Sequence, residues 1–261
     1  MFRDSDRKKC QQLFDKQYAG RKFSRGQYQE PIRQHVSPGT GLLDAACGRY
    51  LEFSRDLSDT VQVVGIDLEE QLDTRNGRSP YAIRGDLEHL LFPSNYFDVV
   101  ISRSVVEHLT DPPRVFREFH RVLKPGGKVI LSTPKKWDYI SVAARLTPYI
   151  WHRALVSKML GVSEDDVFPK LYRANTLSKL GRELQAAGFK AQTLKAVGHY
   201  PAYLMFSPML FRIGMLYERL VAFNSFRHLR GTLLCVFEKA GAAAAGSRDA
   251  RQTDRATEVG V

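Results

Sequence analysis

The sequence predicts an α/β protein whose mostly parallel, doubly wound sheet carries helices on both faces. Short runs rich in Val, Ile and Leu alternate with amphipathic segments between residues 41 and 133, as buried parallel strands alternate with helices. Three successive runs end in an acid or a glycine, at Asp44, Asp67 and Gly85. Ligands of doubly wound sheets bind at the carboxyl ends of the strands, so these residues predict a binding site at that edge.

The elements follow an entry turn at residues 37–41. Asp111 can cap a helix that has Pro112 in its first turn. Asn175 or Thr176 can cap another, which ends at Gly188. Strands are predicted at residues 41–47, 61–67, 81–85, 97–103, 127–133, 189–197 and 231–239, and helices at 50–58, 69–75, 112–124 and 175–187.

The domain organisation is one α/β domain with additions. A chain of 261 residues with 43% hydrophobic residues can bury a full core of this kind. We expect a helical amino-terminal cap at residues 1–36 and the main domain at 37–239. Two inserts interrupt that domain, at about 136–174 and 200–226, and residues 240–261 have the composition of a disordered tail.

An apolar repeat in the second insert leaves three interpretations open. Within residues 203–223, apolar side chains recur at three- and four-residue steps, at Met209, Ile213, Leu216, Leu220 and Phe223. They could face the core, which is the commonest use of such a repeat, or a second subunit, or a membrane surface. Peripheral membrane contact through residues 203–223 is therefore one of three alternatives. The sequence does not determine the oligomeric state.

The net charge and the cysteine positions indicate which class of partner and which cellular compartment to expect. The net charge is +11, but the 39 basic residues are interleaved with 28 acids, which favours a basic enzyme over a nucleic-acid-binding protein. Cys10, Cys47 and Cys235 are too far apart for a disulfide framework or a zinc site. No metal site is predicted. The charged amino terminus has no apolar run behind it, so we expect a cytoplasmic protein.

The residues after the first strand predict a nucleoside ligand without phosphates. A dinucleotide site requires Gly-x-Gly-x-x-Gly at this turn, whereas Ala46 and Tyr50 stand where glycines would be wanted. The carboxylate of Asp67 can accept both ribose hydroxyls. Alternatively, an aspartate at this position caps the next helix and does not contact a ligand.

Six motifs between residues 41 and 136 share a known order and spacing. They are Leu42-Leu43-Asp44-Ala45-Ala46-Cys47-Gly48, Val64-Gly65-Ile66-Asp67, Gly85-Asp86-Leu87, Phe97-Asp98-Val99-Val100-Ile101-Ser102, Val106-Glu107-His108-Leu109 and Arg121-Val122-Leu123-Lys124-Pro125-Gly126-Gly127. This part of the chain resembles the class I S-adenosylmethionine (SAM)-dependent methyltransferases of the type 11 small-molecule group. The resemblance implies a Rossmann-like seven-stranded sheet with an antiparallel last strand. It also implies SAM as cofactor and an O, N or C atom of a small-molecule, lipid or saccharide as methyl acceptor.

The resemblance also assigns cofactor roles. The turn Ala46-Cys47-Gly48 is expected to face the methionine part of SAM, with Ser102 close by. Asp44 is expected either to orient this turn or to reach the ammonium group of SAM through water.

The nucleoside part of SAM falls to the next two strand ends. Asp67 is expected to hold the ribose, with Leu68 beside it. Asp86 is expected to accept from the adenine amino group, while the Leu87 amide meets a ring nitrogen.

One residue is a candidate for catalysis. Transfer from a sulfonium needs mainly positioning of the nucleophile, and a base helps when the acceptor is a hydroxyl or a protonated amine. His108 follows the fourth strand close to the expected methyl group. It can act as a general base, or Glu107 and His108 can organise the loop without proton transfer.

Three other functions are alternatives to a small-molecule methyltransferase. An RNA or protein methyltransferase is supported only by the charge. A non-catalytic SAM-fold interaction protein would follow if Tyr50 closed the cofactor pocket. An NAD-dependent dehydrogenase is disfavoured because the glycine pattern is incomplete.

Overall fold

A computed structural model describes residues 4–18, 23–48, 57, 60–68, 82–138, 169–198, 201 and 204–241. The predicted helices at 50–58 and 69–75, Tyr50, most of the insert at 136–174 and nearly all of the tail at 240–261 lie outside these residues. The helices are α1 (Asp4–Tyr18), α2 (Ser24–His35), α3 (Pro112–Val122), α4 (Leu177–Ala186), α5 (Pro208–Ala222) and a 3-10 helix (Asn224–Leu229). The strands are β1 (Gly41–Ala45), β2 (Gln62–Asp67), β3 (Ala82–Arg84), β4 (Phe97–Arg103), β5 (Leu123–Pro134), β6 (Phe189–Val197) and β7 (Thr232–Lys239).

The seven strands form one sheet in the order β3-β2-β1-β4-β5-β7-β6. Strands β1 to β5 are parallel, and β7 is antiparallel to both β5 and β6. The predicted fold class, with its antiparallel last strand, is confirmed. The strand order reverses between β1 and β4, which is where a doubly wound sheet opens a crevice for its ligand.

Both faces of the sheet are buried, because successive side chains of each strand alternate between them. Leu43 and Val100 pack into one apolar cluster with residues of α3 and α4. Leu42 and Val99 pack into another with Tyr28 and Ile32 of α2. Burial on two sides explains why these strands read as continuous apolar runs rather than as alternating ones.

The first residues of β5 contain a turn that glycines permit. The Asp111 side chain accepts from the backbone N of Arg114 at 3.2 Å, as predicted for the cap of α3. Gly126 has φ +80, and a Cβ on Gly127 would lie 2.8 Å from the carbonyl oxygen of Lys124. Strand β5 begins earlier than predicted, since Leu123 already pairs with Phe97 before this turn.

Helix α5 corrects one of the three interpretations of the second insert. Its buried side chains include Phe211 and Met215, which pack with Cys10 of α1. The predicted repeat lies on the other side of the helix, where Met209 is 73% exposed and Leu216 59% exposed. A core-facing repeat is therefore wrong for these positions. None of the helices in the described ranges is long and apolar enough to cross a bilayer.

Candidate functional site

The turn after β1 is held in an unusual backbone conformation. Ala46 and Gly48 have positive φ, of 57° and 65°. This left-handed conformation costs a residue with a Cβ about 1–2 kcal/mol, so Ala46 occupies a position that glycine would fill more easily. The backbone N of Cys47 donates to the carbonyl of Ile66 at 3.2 Å. The turn is thus tied to β2 through its main chain.

Asp67 joins the ends of three strands. Its Oδ2 accepts from the backbone N of Gly48 at 2.8 Å, and its main-chain carbonyl accepts from the backbone N of Gly85 at 2.9 Å. A Cβ on Gly85 would lie 2.6 Å from Cδ1 of Ile66, so a larger residue there would have to displace the Ile66 side chain. The predicted ribose residue therefore lies at the centre of the edge.

The residues predicted to meet the adenine start a short turn after β3. Oδ1 of Asp86 accepts from the backbone N of Glu88 at 2.9 Å, and its carbonyl accepts from the backbone N of His89 at 3.1 Å. The side chain of Leu87 is buried, whereas that of Leu68 is 68% exposed after β2. This part of the edge combines polar main chain with one open apolar side chain.

Buried groups support the turn from below. Asp44 and Ser102 are both buried, and Oγ of Ser102 donates to the carbonyl of Ala45 at 2.8 Å, fastening β4 to the end of β1. Burial raises the pKa of the Cys47 thiol, and the charges of Asp44 and Asp67 raise it further. The environment of Cys47 therefore favours the neutral thiol over the reactive thiolate.

One supporting residue comes from outside the predicted site. Tyr28 of α2 is fully buried. Burial raises its pKa well above the usual value, and the charge of Asp44 adds to the effect. The sequence marks Tyr28 only as one aromatic among several in an amino-terminal helix, and nothing there indicates that it packs beneath this turn.

A buried polar network closes the other half of the edge, at the ends of β4 and β5. Glu107 is 2% exposed, and its Oε2 accepts from Oγ1 of Thr133 at 2.8 Å. Nδ2 of Asn175 donates to Oγ1 of Thr133 at 2.6 Å and to the carbonyl of Pro134 at 2.9 Å. Oδ1 of Asn175 is buried without a hydrogen-bond partner among the described residues. Thr176 is the cap of α4, which leaves Asn175 for the network.

His108 lies beside this network. Nδ1 of its ring is 2.7 Å from the carbonyl oxygen of Pro169, and Nε2 is 3.8 Å from Oε1 of Glu107. A carbonyl only accepts, so Nδ1 carries the hydrogen, and Nε2 of the neutral ring has the lone pair. Thr133 and Asn175 were missed as site residues because each stands far from His108 in the sequence.

Comparisons with known proteins concern the part of the chain that carries these strand ends. Residues 43–131 match the family model described as a methyltransferase domain, of type 11. The methyltransferase family that the motifs predicted is thus the one whose model this part of the chain matches.

Relatives of known activity match the same region. Phosphoethanolamine N-methyltransferase 3 of Arabidopsis thaliana is 33% identical over 105 residues, which are 37% of this chain and 21% of that enzyme. The ubiquinone/menaquinone biosynthesis C-methyltransferase UbiE of Ralstonia nicotianae is 33% identical over 141 residues, 49% of this chain and 58% of that one. The chain thus spans between a fifth and three fifths of these relatives.

Solved structures share the fold. A SAM-dependent methyltransferase from Mesorhizobium loti superposes with a TM-score of 0.54 at 20% identity, over 82% of this chain and 99% of that one. The [4+2]-cyclase SpnF superposes with the same TM-score of 0.54 at 19% identity, over 83% and 81%. At this identity the likeness concerns the fold alone.

Proposed function

We propose that this chain is a SAM-dependent methyltransferase that acts on a small-molecule, lipid or saccharide acceptor. The observation that carries the proposal is the hydrogen bond of 2.8 Å from the backbone N of Gly48 to Oδ2 of Asp67. It joins a glycine turn and a carboxylate at adjacent strand ends, as a nucleoside ligand requires. A Cβ built on Gly48 would meet no heavy atom of the described residues within 4 Å, so none of these residues blocks a ligand from the main chain of this turn.

The residues present fit SAM. An ionised carboxylate has about four acceptor sites, so Asp67 can accept ribose hydroxyls in addition to the Gly48 amide. The turn at residues 46–48 would hold the methionine part, with Asp44 beneath it. Asp86 and Leu87 would hold the adenine. When bound, SAM supplies a methyl group on a sulfonium, which is already activated for transfer.

Ser102 has a different part in this proposal. Its hydroxyl donates to the carbonyl of Ala45, and the side chain is 2% exposed. We therefore assign Ser102 the fixing of the turn after β1, which brings that turn's main chain to the methionine part.

We assign the role of general base to His108. Donation from Nδ1 to the carbonyl of Pro169 fixes the ring, and Nε2 would take the proton from the acceptor. The carboxylate of Glu107, 3.8 Å from Nε2, would stabilise the imidazolium that forms. Thr133 and Asn175 orient that carboxylate through the buried network.

The relatives support the class of acceptor. One is named for N-methylation of phosphoethanolamine and another for C-methylation in ubiquinone and menaquinone biosynthesis, so both act on small molecules and at different atoms. Nucleic acid is not proposed as a substrate, because the basic residues are interleaved with acids along the chain. We also propose that the protein is cytoplasmic, because the thiols of Cys10, Cys47 and Cys235 are buried and form no disulfide.

The test is calorimetric titration of the purified chain with SAM, S-adenosylhomocysteine and NAD, followed by a screen of small molecules with radiolabelled SAM. We expect saturable binding of SAM and S-adenosylhomocysteine and transfer of label to a small molecule. Binding of NAD without S-adenosylhomocysteine would contradict the proposal, and so would a tight, salt-resistant complex with structured RNA.

A further inference from the structure

Helix α5 and the 3-10 helix after it carry an apolar face that is turned away from the protein. We define this apolar face by seven side chains that are 42% to 73% exposed: Met209, Ile213, Leu216, Leu220, Phe223, Phe226 and Leu229. Single exposed apolar residues are ordinary in proteins, but a contiguous set along one helix marks an interaction site.

The fold does not need this face to hold the helix. The opposite side of α5 is anchored by Phe211 and Met215, which pack against α1. Gly214 lets the helix approach its neighbours closely, because a Cβ there would lie 2.7 Å from Cδ1 of Leu204. A surface helix anchored on one side normally presents polar residues on the other. Helix α5 is apolar on both.

The charges around the apolar face are all of one sign. Residues 208–230 contain four arginines and a single acid, Glu218, and that acid is 4% exposed on the buried side of α5. Arg212, Arg219 and Arg227 are exposed. The segment thus presents an apolar stripe with basic residues and no exposed acid.

The apolar face adjoins the edge of the sheet that carries the candidate site. The 3-10 helix leads into β7, whose Thr232 pairs with Pro134 at the end of β5. The backbone N of Lys135 donates to the carbonyl of Gly231 at 2.7 Å, and its ammonium group donates to the carbonyl of His228. The face therefore lies on the side where β5 ends.

We propose that the apolar face docks on the surface of an anionic lipid bilayer. Helix α5 would lie in the interface with its apolar side chains among the acyl chains, and Arg212 and Arg219 would meet anionic headgroups. A second copy of the chain fits less well, because a two-fold contact would set these arginines against their own copies.

Docking would turn the edge with His108 towards the lipid phase, so that an acceptor dissolved in the bilayer could reach it. This consequence rests on the proposed methyl transfer, whereas the docking itself does not.

The experiment is sedimentation of the full chain with vesicles of phosphatidylcholine alone and of phosphatidylcholine with phosphatidylglycerol. We expect binding to the anionic vesicles. The double variant Ile213→Glu/Leu216→Glu should bind at least about tenfold more weakly, because two apolar side chains no longer enter the interface. Arg212→Gln/Arg219→Gln should bind about thirtyfold more weakly to the anionic vesicles. The matched control is Leu91→Glu, which changes a side chain that is 82% exposed in the loop before β4 and should bind like the parent.

Three results would overturn the proposal: absence of vesicle binding by the parent, equal binding by Ile213→Glu/Leu216→Glu, or a dimer in sedimentation velocity that this variant converts to a monomer. The last would assign the face to a second copy. Titration of the same proteins with S-adenosylhomocysteine keeps the two proposals apart, since vesicle binding needs no cofactor. If the parent protein does not bind S-adenosylhomocysteine, the proposed methyl transfer is contradicted, and the docking result still stands.

Discussion

The two halves of the candidate site are built by different means. The nucleoside half, at the ends of β1, β2 and β3, depends on main chain: left-handed residues in the turn after β1 and the Gly48 amide, which donates to the carboxylate of Asp67. The acceptor half, at the ends of β4 and β5, depends on buried side chains, with Glu107, Thr133 and Asn175 in one hydrogen-bonded chain. Side-chain substitutions should therefore affect the nucleoside half mainly at Asp67 and the acceptor half at several positions.

The largest effect is expected in the acceptor half, at His108. His108→Ala should lower the rate of methyl transfer by roughly 10²–10⁴-fold, as expected for loss of a general base. The affinity for S-adenosylhomocysteine should stay the same, because the nucleoside half is untouched. The rate is measured on an acceptor found in the screen with radiolabelled SAM, and the affinity is measured by calorimetry.

His108→Asn is the matched variant. An asparagine amide can still donate to the carbonyl of Pro169, the partner of Nδ1, but it cannot take a proton at neutral pH. A general base requires both variants to be slow. If His108→Asn keeps most of the activity, His108 only organises its loop, and the two halves of the site differ less than proposed.

The next effect tests the nucleoside half. Asp67→Ala should weaken binding of SAM and S-adenosylhomocysteine by about 1.5–3 kcal/mol, because it removes charged hydrogen bonds to the ribose. It also leaves the Gly48 amide without its partner. Asp67→Asn, which keeps an oxygen for that amide but no charge, should lose less. Full-strength binding by a folded Asp67→Ala protein would remove the ribose role from this residue.

A third prediction concerns the buried network. Glu107→Ala removes the acceptor of the Thr133 hydroxyl in a buried place, and an unsatisfied buried group costs about 1–3 kcal/mol. The free energy of unfolding, from denaturant titration, should fall by this amount. Glu107→Gln keeps an acceptor for Thr133 and should retain most of the stability, yet it should slow methyl transfer because the carboxylate beside His108 is gone. Equal stability of Glu107→Ala and the parent would contradict the network's structural role.

The smallest effects are expected in the turn after β1, and they have opposite signs. Gly48→Ala places a Cβ at φ +65 and should destabilise the protein by about 1–2 kcal/mol. Ala46→Gly relieves the same conformation at φ +57, but glycine loses more freedom on folding, so a gain of at most about 1 kcal/mol is expected. Thermal unfolding of both variants measures the difference. Stabilisation by Gly48→Ala would mean that the turn has another conformation.

The nucleoside half was predictable because each of its parts lies in one short segment. The strand ending at Asp67 was predicted at 61–67 and found at Gln62–Asp67, and β4 has the predicted bounds. The sequence also marks Ala46 as standing where a glycine would be wanted, and the structure gives this residue a positive φ. The acceptor half was predictable only at His108. Thr133 reaches Glu107 across 26 residues of chain and Asn175 reaches Thr133 across 42, and no local pattern records such contacts.

The sequence by itself determined the strands of the sheet, because continuous apolar runs and the turns that end them are local properties that each segment expresses alone. The tertiary structure decided what Met209, Ile213 and Leu216 face. A repeat at three- and four-residue steps fixes which side chains share a side of a helix, but it does not say whether that side meets the core. In α5 the core took the other side, with Phe211 and Met215, because α1 supplies Cys10 as a packing partner there.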